Sequence, residues 1–412
     1  MVSFSKKAIR LRAILFKGGS AYNALRVFVD DLAEAFASRG FEPVIVDALE
    51  TPDPTLSLEA IAAGGPVILA FSFNIWGEFR DARGRSIADL IGAPHVVQYV
   101  DYPLAGLAGK RLGLTPRSGA VLVVDQSHVD AIQAVYGPDR FAYVGFCPHA
   151  AIGGAGPDLA AEGLEAFAAR PIPLLFCGTF YKPGEKPWAA VDPLPRKIMD
   201  EALEIALASE WTAPMEALAQ SMVVNGLSLE DTTNRAFLAN AGFIHEHVRA
   251  QRRFEFLNAA NKASLPLHIY GKGYDQDLYR FKNLTYCGDA DFDETIANMR
   301  RSRVVVSVNA NFGMGSHERP LTAMLSGAAA ASDHTTFFAD RFREGAEIML
   351  YRWKALDAGL EQLGRLVADP EAAHAMALQG QKRVATEHTS AQRVDVILAA
   401  ASAAGQEMTG RG

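Results

Sequence analysis

Short β-branched apolar runs alternate with stretches of helical composition, tight glycine turns follow several of the runs, and a second such series begins near residue 174. These three observations predict an α/β chain of two parallel sheets in tandem, because parallel strands need crossover connections and the helical stretches supply them. At 412 residues the chain exceeds a comfortable single core, which also points to two domains.

In the first series, strands are expected at 13–16, 43–46, 67–71, 96–99, 121–124 and 142–145. Lys17-Gly18-Gly19-Ser20 makes a tight turn, and 22–39 carries a helical pattern through Leu25, Val29, Leu32, Ala33 and Phe36 to a stop at Gly40. Polar residues gather just beyond the strand ends: Asn74, Asp101 with Tyr102, Asp125 with His128, and His149. In an open parallel sheet that edge binds ligands.

The second series opens with a strand at 174–177 and the turn Gly178-Thr179-Phe180. From about 185 to 241 the alternation lapses into a proline-rich start and a helical region around 196–218, read as a helical insertion or an extended first crossover. A helix near 246–262, a strand at 267–270 closed by Gly271-Lys272-Gly273, a strand at 284–287 and a helix near 292–301 follow. The division expected is 1–165 for the first domain, 166–390 for the second, and 391–412 for a C-terminal helix and tail.

The segment 303–333 is the most informative. Val304, Val305, Val306 and Val308 suit a strand covered on both faces, residues 309–317 break the pattern, Pro320 suits a first helical turn and Gly327 a C-terminal cap. That helix aims its free N–H groups at whatever sits beside Ser316, His317, Glu318 and Arg319, an anion site in outline.

A hydrophobic fraction of 49% with 21% charged residues describes an ordinary globular protein, and a net charge of −7 argues against a broad nucleic-acid footprint. Cys147, Cys177 and Cys287 are odd in number and never in a CxxC pair, which fits reduced thiols in the cytoplasm. The basic start is too interrupted for a signal peptide, and no run approaches the roughly 20 apolar residues of a membrane span. Peripheral membrane contact stays open.

Asp101 at a strand end is read either as a general base for an acceptor hydroxyl or as a helix cap; His128 and His149 carry the same two readings. His245-Glu246-His247 fits no common zinc spacing, and Gly18-Gly19 lacks the Lys-Ser/Thr ending of a P-loop.

The ordered elements LLFCGTF, LHIYGKGYD and LTYCGDADFDETIANMRRSRVVVSVNANFGMGSHERPLTAMLSGAAAASD resemble the C-terminal half of GT-B glycosyltransferases of the group 1 type. The SHER element and Asp101-Tyr102-Pro103 bring the chain nearest the CgeB-like branch. The resemblance implies two Rossmann-like domains across a cleft, with a nucleotide-sugar donor (UDP-, GDP- or other) on the second and a glycan, protein or small-molecule acceptor on the first. It places Gly178 and Thr179 near the donor diphosphate with Lys182 as a charge partner, Tyr270, Gly271 and Lys272 near the base, and Ser316, His317, Glu318 and Arg319 near phosphates and sugar. A helix N-terminus with Arg or Lys can stabilise the departing diphosphate, so no metal and no further cofactor is called for.

Relatives of this type usually carry Glu four residues after the SHER glutamate, where this chain has Thr322, left with a weaker hydrogen bond to offer the donor. The expected activity is hexosyl-type transfer from a nucleotide sugar, with Glu318, Arg319 and Asp101 carrying it; the alternatives are a catalytically silent glycan- or protein-binding relative and a nucleotide-sugar epimerase.

Overall fold

The computed structural model describes residues 10–51, 54–74, 80–154, 156–180, 182–274, 280–309 and 312–409. Its first sheet contains β1 (Arg12–Lys17), β2 (Glu42–Asp47), β3 (Val67–Phe73), β4 (His95–Tyr99), β5 (Ala120–Val123) and β6 (Tyr143–Phe146). All pair in parallel, in the order β2-β1-β3-β4-β5-β6. The crossovers are α1 (Ala24–Ser38), α2 (Pro54–Ala63), α3 (Ile87–Ile91), α4 (Gly106–Leu114) and α5 (Gln126–Tyr136), and α6 (Leu159–Ala168) leads to the second sheet. The helix expected from residue 22 starts two residues later, because Tyr22 and Asn23 are left-handed, with φ of 59° and 57°.

The second sheet begins with β7 (Ile172–Cys177), then the chain runs through α7 (Pro193–Ala208), α8 (Pro214–Val224), α9 (Thr232–Phe237) and α10 (Ala241–Lys262). It continues with β8 (Leu267–Tyr270), β9 (Thr285–Gly288), α11 (Phe292–Arg300), β10 (Ser302–Ser307), α12 (Glu318–Leu325), β11 (Ala329–Asp333), α13 (Thr336–Arg341) and β12 (Met349–Tyr351). The parallel order is β12-β11-β10-β7-β8-β9. Placed between β7 and β11 and covered on both faces, β10 buries Val304, Val305 and Val306 to within 1% exposure, which is why its sequence is continuously apolar rather than alternating. Three helices close the chain: α14 (Leu356–Ala368), α15 (Pro370–Glu387) and α16 (Ser390–Thr409).

The insertion belongs to the first sheet's core, although the chain reaches it from the second. Ile198, Met199, Ala202, Leu218 and Met222 pack with Val97, Tyr99, Val121 and Val123 of β4 and β5. The helical stretch expected at 196–218 is two helices, since Pro214 starts a new one after the break at Ser209. Helix α10 spans both cores, with Ile244 and Val248 in the first and Phe256, Leu257 and Ala260 in the second. A Cβ at Gly242 would lie 2.6 Å from the Leu104 carbonyl oxygen, so glycine allows α10 to touch the first domain's backbone. Helix α16 also returns: Val394, Ile397, Ala400 and Ala404 bury themselves with Phe28, Val96 and Leu122, and Arg39 pairs with Asp395 at 2.6 Å. The expected tail is therefore helix through Thr409, and residues 410–412 lie outside the described residues.

Candidate active site

One cavity of about 270 Å³ lies where the carboxyl ends of the two sheets meet. Residues just past β1 (Ser20, Tyr22), β3 (Asn74), β4 (Asp101) and β6 (His149) face residues just past β7 (Gly178, Thr179), β8 (Gly271) and β10 (His317, Glu318, Arg319). Strand polarity alone produces this convergence, since every strand of a parallel sheet ends on the same edge.

Helix α12 positions the charged corner. His317 is its N-cap, with its amide donating to Asn309 Oδ1 at 3.0 Å, and Glu318 and Arg319 follow in the first turn. Arg319 Nη1 donates to the Cys177 carbonyl at 3.0 Å, and Nη2 bonds His317 Nε2 at 2.9 Å. A guanidinium carries five N–H donors and these contacts use two, so it is locked in direction with donors to spare. A Cβ at Gly178 would sit 3.3 Å from Arg319 Nη1, so glycine lets the β7 turn lie close over that charge.

Glu318 is 5% exposed and contacts His317 Nδ1, with Arg319 Nε at 3.7 Å. Burial by itself would raise its carboxyl; His317, Arg319 and His149 outweigh burial and hold it well below the usual carboxylate range. The ring of His149 stacks on His317 at 5.6 Å and 13°, and burial pushes its pKa down to about 4. Its Nε2 has no partner among the described residues. His317 is likewise pushed down, first by burial and then by Arg319.

The opposite wall is built by loops that bond one another. The Gly178 amide donates to the Tyr270 carbonyl at 2.9 Å, and the Phe180 amide to the Lys272 carbonyl at 2.8 Å. Gly271, with φ of +144°, passes so close that a Cβ there would fall 2.3 Å from the Gly178 oxygen. Tyr274 donates to the Gly178 carbonyl at 2.8 Å, and Arg253 of α10 donates to the Thr179 carbonyl. On the first domain Asp101 is solvent-exposed and accepts from Asn74 Nδ2 at 2.9 Å, while Asn74 Oδ1 accepts from the Val100 amide at 2.9 Å.

The structure thus brings together Asp101, Gly178, Thr179, Tyr270, Gly271, His317, Glu318 and Arg319 as lining residues. Lys272 lies at the rim, its ammonium 4.0 Å from Asp289 and its amide turned toward Tyr22. Three expected contacts fall elsewhere. Lys182 is exposed and outside the cavity lining. Ser316 is fully buried and donates to the His317 carbonyl at 2.6 Å. Thr322, 1% exposed, accepts from the Ile152 amide at 3.2 Å, so its hydroxyl serves the chain crossing between domains and not the cavity.

His128 also lies outside the cavity lining. It is buried against Tyr102 at 4.9 Å and Phe312 at 5.8 Å, its pKa lowered by burial to about 4. Asp125 caps α5 and accepts from the Met314 amide at 2.9 Å, linking the domains. Among the described residues no group of three or more His, Cys, Asp or Glu is placed to hold a metal. Tyr22 and Arg253 escaped sequence reasoning, since no motif surrounds either one.

A family described as "Glycosyl transferase-like" matches residues 249–399, the stretch that contains β8 to β12 and the charged corner. An α-glucosyltransferase solved with UDP and a 13-mer DNA containing an HMU base superposes with a TM-score of 0.54 at 9% identity, over 94% of this chain and 99% of that one. The chain has the GT-B fold, and the family match covers its second half from residue 249. Anabaena Alr3699/HepE, solved with UDP-glucose, gives a TM-score of 0.50 at 10% identity over 95% of this chain and 99% of its own. The chain spans 54% of TarM, at 10% identity, a TM-score of 0.42 and 81% of its own length. Among curated proteins no match was found.

Proposed function

We propose that the cavity holds a nucleotide sugar, with its diphosphate between the Gly178-Thr179 turn and the start of α12, and its base along Tyr270, Gly271 and Lys272. The observation that carries this is Arg319, fixed by Cys177 and His317 at the helix start yet retaining free N–H donors. Cleaving the sugar–phosphate bond builds negative charge on the leaving diphosphate, and a preset guanidinium plus helix amides stabilise it without reorganising. Two of the three solved neighbours above were solved with UDP or UDP-glucose, which supports a nucleotide ligand at this cleft.

Asp101 is the acceptor-side base in this proposal, since it is exposed at the first domain's strand edge and oriented by Asn74. Glu318 is a positioning residue: as a carboxylate beside His317 Nδ1 it holds the ring that in turn holds Arg319. The SHER element supports placement in the CgeB-like branch. The acceptor is a hydroxyl of a glycan, protein or small molecule, and the net charge of −7 disfavours a nucleic-acid acceptor. No described helix is long and apolar enough to cross a membrane, and the three unpaired cysteines support a reducing, cytoplasmic setting.

Calorimetric titration with UDP, GDP, ADP and CDP, followed by turnover assays with the matching nucleotide sugars, tests this. At least one nucleotide should bind, and Asp101→Asn should depress kcat about 10²-fold or more with nucleotide affinity unchanged. Absence of binding by all four, or an Asp101→Asn enzyme with full kcat, overturns the corresponding assignment.

A further inference from the structure

Tyr22 and Asn23 stand side by side in the left-handed region, with ψ of 16° and 11°. Glycine takes such angles freely, whereas a bulky side chain there is strained and persists only where its surroundings over-determine it. The surroundings belong to the other domain. The Tyr22 hydroxyl bonds Thr179 Oγ1 at 2.6 Å and accepts from the Lys272 amide at 3.1 Å, while the Lys272 ammonium lies 5.2 Å from the Tyr22 ring centre. Ser20 Oγ accepts from the Leu25 amide at 2.9 Å, capping α1 in its shortened form.

We infer that Tyr22 is a clasp that occupies the donor-binding groups of the second domain, so that a nucleoside diphosphate must displace it in order to bind. This rests on the assignment of Thr179 and Lys272 as donor contacts. The Lys272 amide has one proton, and Tyr22 uses it; a base edge seeking that N–H competes with the hydroxyl directly. The same holds for the Thr179 hydroxyl beside the diphosphate. Displacement also frees residues 22 and 23 to take right-handed angles, so relief of backbone strain partly offsets the lost contacts. The clasp thereby ties the first domain to the second and makes release of that tie a consequence of donor binding.

Calorimetric titration of UDP, GDP, ADP and CDP into the full chain, as wild type, Tyr22→Phe and Asn23→Gly, separates the possibilities. Tyr22→Phe keeps the ring and removes only the competing hydroxyl, so the bound nucleotide should gain about threefold to tenfold in affinity. Asn23→Gly favours the left-handed turn and disfavours helix, so affinity should fall by roughly twofold to fivefold. Binding by wild type with Tyr22→Phe equal or weaker overturns the clasp and leaves the donor site standing, as does tighter binding by Asn23→Gly. Failure of the wild type to bind any of the four removes the donor assignment and the clasp with it.

Discussion

Arg319 Nη2 and His317 Nε2 lie 2.9 Å apart, and a guanidinium cannot accept a hydrogen bond. The ring nitrogen therefore accepts, which leaves the imidazole proton on Nδ1, the atom that faces Glu318. A neutral histidine thus sits between a carboxylate and a guanidinium with its tautomer fixed by both neighbours. This chain of contacts, rather than any one charge, sets the direction in which Arg319 points.

Replacing Arg319 tests that chain. Arg319→Lys keeps the charge but cannot span the Cys177 carbonyl and the His317 ring together, so nucleotide affinity should drop about tenfold or more. Arg319→Ala should reduce kcat by about 10² to 10³, the usual loss for one preset donor at a developing anion. Steady-state kinetics with circular dichroism as a fold control reads both; an Arg319→Ala enzyme with wild-type kcat removes the residue from the site.

The buried histidines predict acid lability. Burial holds His95 to about 3, and His128 and His149 to about 4, against about 6.5 in the unfolded chain. Between those values the unfolded chain binds protons the folded one refuses, so their stability contribution is complete above about pH 6.5. It is lost as pH falls toward about 4, at roughly 1.4 kcal/mol per pH unit for each histidine. His128→Phe should flatten this slope: neither ring nitrogen of His128 has a partner among the described residues, and phenylalanine can keep the contacts with Tyr102 and Phe312. Chemical denaturation from pH 7.5 to 4.5 measures it, and an unchanged slope contradicts the assignment.

Thr322 separates packing from ligand contact. Thr322→Val leaves the Ile152 amide without its acceptor and should lower unfolding free energy by about 1–3 kcal/mol while nucleotide affinity stays unchanged. Thr322→Glu, which restores the residue type expected from the resemblance, introduces a charge at a 1%-exposed position and should destabilise the fold further. A rise in nucleotide affinity in Thr322→Glu would show instead that this position still reaches the donor.

Both sheets were legible in the residues because their signal is local. The valine run of β10, the glycine turns after β7 and β8 and the Pro320 helix start each lie within a few residues of one another. The charged corner was legible for the same reason, as His317, Glu318 and Arg319 are consecutive. Thr322 was misjudged because helix spacing told which face it shares with Glu318 but not that Ile152, 170 residues away, would lie against that face.

What the sequence by itself determined is the alternation of strand and helix, the parallel order that alternation demands, and the run of charged and ring-bearing side chains at the start of α12. Only the tertiary structure decided that α7 to α9 and α16 complete the first sheet's core, that Lys182, Ser316 and Thr322 stay out of the cavity, and that Tyr22 reaches Thr179 and Lys272. The physical reason is separation along the chain. A helix propensity or a turn is set by neighbours a few residues apart, whereas the Tyr22 contacts close loops of 157 and 250 residues and exist only once both sheets have formed and met.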